Sequence, residues 1–244
     1  MSAETALAPV IIAGAFFGEA VFGFGGGLIS VTLLSVLLGV RDAVTLVLLF
    51  QFCMGLLLWK AYPHINWQTA KPMAVPAAIG TLVGTLLLSH VSTPFLQLFL
   101  AVSILVFLVK TVWFQGFTLG HKRNSAVAAA AGLGGGIVTG LIGTGGPIVI
   151  MYLMVAIKDR LSVRATFIWL FFVIGIVRLC ISIPQHLFTA HIMRLALVSA
   201  PFFFVAILVG QHVHRKVSER YYRLSVNVIL LLSAIVLVMK VLDA

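Results

Sequence analysis

Acidic side chains are nearly missing from this chain: Asp and Glu number six in 244 residues, and charges of either sign make up 9%. An enzyme built on converging acid–base pairs has little material here, and a carboxylate metal cage has less. Cysteine is equally scarce. Cys53 and Cys180 both lie in apolar stretches, so they read as small buried hydrophobes rather than a disulfide or a metal pair. The first 20 residues hold no Lys or Arg, so the basic start of a signal peptide is absent and none is expected. No polar stretch is long enough for a sizeable soluble domain. What remains is apolar: 61% hydrophobic, with a mean hydropathy of +1.18. A soluble fold of this size has nowhere to bury that surface. A bilayer crossing takes about 20 apolar residues, and such runs recur along the chain. The ten-residue alternation of a membrane β-barrel is absent. The expectation is an all-α polytopic membrane protein whose first partner is the lipid bilayer.

Apolar segments run over 5–38, 43–60, 70–89, 94–114, 124–156, 163–184, 190–212 and 221–241, about eight transmembrane segments. The first and fifth, about 33 residues each, are too long for one simple crossing. Each is broken by glycine, at "FGFGGGLIS" (22–30) and "LIGTGGPIV" (141–149). The halves match beyond these breaks. Gly23, Gly25, Gly26 and Gly27 align with Gly143, Gly145, Gly146 and Pro147, Gly55 with Gly175, and Pro63 with Pro184. With a small insertion, "GTLLLSHVSTPFLQL" (84–98) lies over "GQHVHRKVSERYYRL" (210–224). Weak identity with strong agreement in hydropathy is the mark of duplicated transporter halves. This predicts an N-terminal repeat over 1–114, a cytoplasmic linker over 115–123 and a C-terminal repeat over 124–244.

The net charge of +10 would suggest nucleic acid in a soluble protein. Here the basic residues gather in loops, where they set orientation and meet anionic lipid, so no nucleic-acid partner is expected. If both broken segments return to the side they entered from, twelve Lys and Arg fall on one side and three on the other, with Arg178 inside a segment. If both cross fully, the split is eight against seven. The positive-inside rule therefore favours two inverted four-segment repeats, basic loops in the cytoplasm and both termini outside.

A broken helix in hydrocarbon exposes backbone polar groups, so each break must be buried in protein or line a wet cavity. After each break a helix resumes, "LISVTLLSVLL" from Leu28 and "PIVIMYLMVAI" from Pro147. Each restart offers unpaired N–H groups and about half a positive charge, a backbone anion site. Inverted symmetry would bring the two ends to one pocket. The candidate solute-binding residues are Gly25, Gly26, Gly27 and Leu28 at the first break, and Thr144, Gly145, Gly146 and Pro147 at the second. Gln51, Ser30, Thr32 and Thr139 are neutral donors nearby, although Ser and Thr in such helices tend to bond their own backbone. The competing role for these glycines is tight helix packing.

Arg178 is the only base well inside a segment, and its guanidinium would clamp an oxyanion through two hydrogen bonds. Snorkelling or a structural ion pair competes with that role. Glu19, one turn before the first break, is a coupling candidate. It would carry a proton, pair with Arg178, or bond the exposed backbone of the break. His186, His191, His212 and His214 read as interface or loop residues, with no metal-ligand spacing. No phosphate loop or dinucleotide context surrounds "GFGGG", and no cofactor is expected.

"GFGGGLIS" with "GLIGTGGPIV", in two four-segment halves, resembles the TauE/SafE family of sulfite and organosulfonate transporters, over nearly the full length. The resemblance implies membrane transport of a small sulfur-containing anion. The expectation is a secondary transporter in a bacterial cytoplasmic (inner) membrane, binding sulfite or an organosulfonate between the broken helices. An anion channel on the same frame is the alternative. A membrane-embedded enzyme lacks converging groups, and a purely structural subunit leaves two costly breaks unexplained. Self-association stays open, because apolar faces look alike to lipid and to a partner helix.

Overall fold

A computed structural model describes residues 3–22, 24–88, 90–113 and 125–213, with isolated positions 231, 235 and 239. Among the described residues all regular structure is helical: α1 (Ala3–Phe22), α2 (Gly26–Leu38), α3 (Val40–Leu57), a 3-10 turn (Trp59–His64), α4 (Trp67–Leu88), α5 (Thr93–Trp113), α6 (Ser125–Ile142), α7 (Gly146–Ala156), α8 (Arg160–Ser182) and α9 (Ala190–Val213). Five of these, α3, α4, α6, α8 and α9, contain stretches long and apolar enough to cross a membrane. Both long apolar segments are interrupted where the glycines stand. At about 1.5 Å per residue, α2 with 13 residues and α7 with 11 are too short to span a hydrocarbon core about 30 Å thick. The linker at 115–123, the basic stretch at 214–223 and all but isolated positions of the expected segment 221–241 lie outside the described residues, as does Gly23.

The chain forms two compact units, and the boundary between them runs through α3. The first comprises 1–47, 91–117 and 189–244, the second 48–90 and 118–188. In the first, α1 packs on α9 and α2. In the second, α6 packs on α4 and α7, and α8 packs on α4 and α7. Each unit thus takes helices from both sides of the linker.

The α4–α6 contact is made backbone to backbone. A Cβ on Gly136 would strike Ala77 O and lie 2.9 Å from Thr81 N, and one on Gly140 would lie 2.6 Å from Thr81 O and from Thr85 N. On the other helix, Gly80 faces Leu133 O and Gly84 faces Ile137 O in the same way. Lipid tails are as apolar as leucine, so helix association in a membrane gains most where small residues allow such approach. In the first unit a Cβ on Gly210 of α9 would lie 2.7 Å from Ala20 Cβ of α1.

Polar caps start three helices. Asn66 Oδ1 accepts from Thr69 N–H (3.1 Å) at α4, and its own N–H donates to Thr166 Oγ1 (3.0 Å). Asp159 Oδ2 accepts from Ser162 N–H (2.8 Å) at α8, and Thr189 Oγ1 from Ile192 N–H (3.3 Å) at α9. By contrast α2 and α7 start on Gly25 and Gly145, neither of which has a side chain to cap with.

Candidate functional site

At the first break Gly25 carries φ +101°, a left-handed conformation that glycine adopts without steric cost. Ile29 N–H then donates to Gly25 O (3.0 Å) and α2 is under way. Glu19, one turn before the end of α1 and 6% exposed, reaches across the break and accepts from Gly27 N–H at 3.2 Å. A carboxylate at a helix N-terminus satisfies an orphan amide and complements the helix dipole. Of the three roles weighed for Glu19, bonding the exposed backbone is visible here. The Gly27 amide, expected to face a solute, has this internal acceptor. A Cβ on Gly26 would strike Glu19 Oε2 and lie 3.0 Å from Ala15 O, so Gly26 is required by this close approach. Leu28 is buried and accepts at its carbonyl from the Thr32 hydroxyl (2.7 Å).

The second break differs at the glycine that matches Gly25. Gly143 holds the positive φ, +70°, while Gly145, aligned with Gly25, is right-handed at φ −68° and ψ −5°. A Cβ on Gly145 would strike Gly135 O and Thr139 Oγ1 of α6, and one on Gly135 would lie 2.6 Å from Val149 Cγ2 of α7. The chain therefore folds back, and the start of α7 runs beside α6. Pro147 sits in the first turn and brings no N–H. Ile148 and Val149 N–H both donate to Gly145 O, at 3.2 and 3.4 Å. Thr144, 4% exposed, precedes the cap position, and its hydroxyl has no hydrogen-bond partner among the described residues. Thr139, 120 positions after Glu19, bonds its own helix through Gly135 O (2.6 Å).

The sequence-predicted residues divide between the units. Glu19, Gly25, Gly26, Gly27 and Leu28 belong to the first, and Gln51, Thr144, Gly145, Gly146, Pro147 and Arg178 to the second. Arg178 is 1% exposed, which removes the snorkelling role. Gln51 is half-buried. Next to it Phe52 stacks on Phe172, with centroids 5.3 Å apart. Cys180 is exposed on α8, not the buried hydrophobe expected, whereas Cys53 is half-buried.

Reasoning from sequence missed Thr81 and Thr85 of α4. Both are fully buried, and their hydroxyls have no hydrogen-bond partner among the described residues. Their backbones meet Gly140 in the last turn of α6. The signal for them was the small-residue spacing of Gly80, Thr81, Gly84 and Thr85.

Compared with known families, residues 7–237 match the model described as sulfite exporter TauE/SafE. Comparisons with curated proteins and with solved structures gave no match.

Proposed function

We propose that this chain, which belongs to the sulfite exporter TauE/SafE family, is a secondary transporter that moves sulfite or an organosulfonate across a bacterial cytoplasmic membrane. That it is an integral membrane protein of a transporter family follows from the match and the five apolar spans. The single observation that carries the finer reading is the second break, a helix that starts on glycine, deep in an apolar chain, with no side-chain cap. Burying that amide end is costly unless an acceptor meets it. An oxyanion is a pure acceptor with several oxygens, the chemistry such an end binds best.

The fold-back of α7 beside α6 supports the inverted arrangement, because a segment that returns leaves the basic loops on one face. The packing supports a duplicated chain: α1 of one half lies on α9 of the other, and α6 lies on α4. Gly84 meets Gly140 and Gly210 meets Ala20 at matching alignment positions. Counterflow of labelled sulfite in proteoliposomes tests the reading. Saturable exchange by the purified chain, lost in Gly146→Leu while membrane insertion persists, is the expected result. Single-channel currents without saturable exchange would establish the channel, and undiminished flux in Gly146→Leu would remove the break from the mechanism.

A further inference from the structure

The two breaks look like copies, yet they are finished differently. In the first, the amide end of α2 already has its anion: the Glu19 carboxylate holds Gly27 N–H at 3.2 Å. In the second, the matching position is Thr139, whose hydroxyl is turned into its own helix at Gly135 O. No carboxylate therefore comes from that position to the end of α7. Pro147 supplies no N–H, and Ile148 and Val149 share Gly145 O. Gly146 is, by position, the amide that the helix itself does not use.

Beside this end stands Thr144, 4% exposed, with a hydroxyl that meets no acceptor or donor among the described residues. Thr144 immediately precedes the N-cap Gly145, so its backbone stands at the amide end of α7. Thr81 and Thr85, also buried with unpartnered hydroxyls, lie along α4 where it meets the turn of α6 that leads into the break. A hydroxyl kept from water without a partner is unfavourable, and one in the residue that precedes an uncapped amide end points to a polar occupant. These groups are neutral donors, suited to an acceptor-rich anion that must later be released.

We propose that the breaks have divided their roles: the α7 end, with Thr144 as side-chain donor, binds one small sulfur oxyanion, while Glu19 closes the α2 end to solute. This rests on the transporter reading above and narrows its site to the second unit. The geometry gives α7 a donor set for a sulfite ion or a sulfonate head group, and gives α2 a permanent internal acceptor.

Titration of the purified full chain with sulfite, followed calorimetrically, tests this beside proteoliposome flux. The wild type should bind one equivalent. Thr144→Val should weaken binding about tenfold or more, the effect of losing a hydrogen bond to a charged group, and Thr144→Ser should restore it. Glu19→Ala, where it remains monodisperse, should take up a second equivalent at the uncovered α2 end. Two equivalents in the wild type, or unchanged affinity in Thr144→Val, overturns the proposal while leaving transport intact. A wild type that neither binds nor moves sulfite or sulfonates overturns the transporter reading itself, and this proposal with it.

Discussion

Phe52 and Phe172 stand 120 positions apart and stack on each other, and each lies over the glycine three residues beyond the other. Phe172 covers Gly55, and Phe52 covers Gly175. The two rings thus exchange roles, each covering the glycine of the other's segment. The exchange is not perfect. A Cβ on Gly55 would lie 2.7 Å from the Phe172 ring, whereas one on Gly175 would lie 3.7 Å from Phe52.

The difference sets the first prediction. Gly175→Ala should be neutral or stabilising by up to about 1 kcal/mol, the gain in helix propensity. Gly55→Ala should be destabilising by about 1–3 kcal/mol, because the Phe172 side chain must shift near its root. Thermal unfolding of both variants in one detergent checks this. Equal melting temperatures would remove the asymmetry.

Along the α4–α6 seam the obstacle is backbone, which has less freedom to move. Gly136→Ala and Gly140→Ala should each cost at least about 1–3 kcal/mol. Gly134→Ala, on the same helix with open space at its Cβ, should cost nothing. Yield of monodisperse protein and melting temperature report the contrast.

Removing the Glu19 side chain leaves Gly27 N–H buried without its acceptor. Glu19→Ala should lose about 1–3 kcal/mol of stability, and Glu19→Gln, which keeps a carbonyl oxygen, should lose less. Melting temperatures of the two variants in the same detergent would show the order, and the reverse order would mean that charge repulsion outweighs the bond.

Asp159 starts α8 outside the membrane segments. Its carboxyl lies below the usual carboxylate range, chiefly because the Ser162 backbone N–H bonds its charged form. A group whose folded value is lowered stabilises the fold above its unfolded value and loses that contribution as pH falls through the folded one. Asp159→Ala should therefore melt lower than wild type near neutrality, and the gap should close on acidification below the ordinary carboxylate range. Asp159→Asn, a cap without a titrating charge, should keep a constant advantage over Asp159→Ala across the same pH range. Melting curves across pH decide between them.

Much of the fold was legible because hydrocarbon imposes strict rules. Runs of apolar residues mark helices, and the two glycine clusters marked their interruptions because Gly25 and Gly143 adopt backbone conformations that side chains resist. Thr32 and Thr139 back-bond to their own helices, as residues of this type tend to. Other features left no trace. Apolar faces do not declare their partners, so the pairing of α1 with α9 and of α4 with α6 could not be read. Nor could the capture of Gly27 by Glu19, since several roles fit one acid near one break. The two breaks looked interchangeable in sequence, yet Gly25 is left-handed while Gly145 at the matching position is right-handed.

The exchanged pairing bears on how the protein is made. As α4 leaves the ribosome its glycine face has no mate, because α6 is not yet translated. The wait of α1 for α9 is longer still, well over a hundred further residues. During synthesis the newborn N-terminal half must therefore sit in lipid, or with the insertion machinery, with its seams bare. A chain severed at 115–123 should yield two pieces that depend on each other, each degraded when expressed by itself and rescued when both are supplied together.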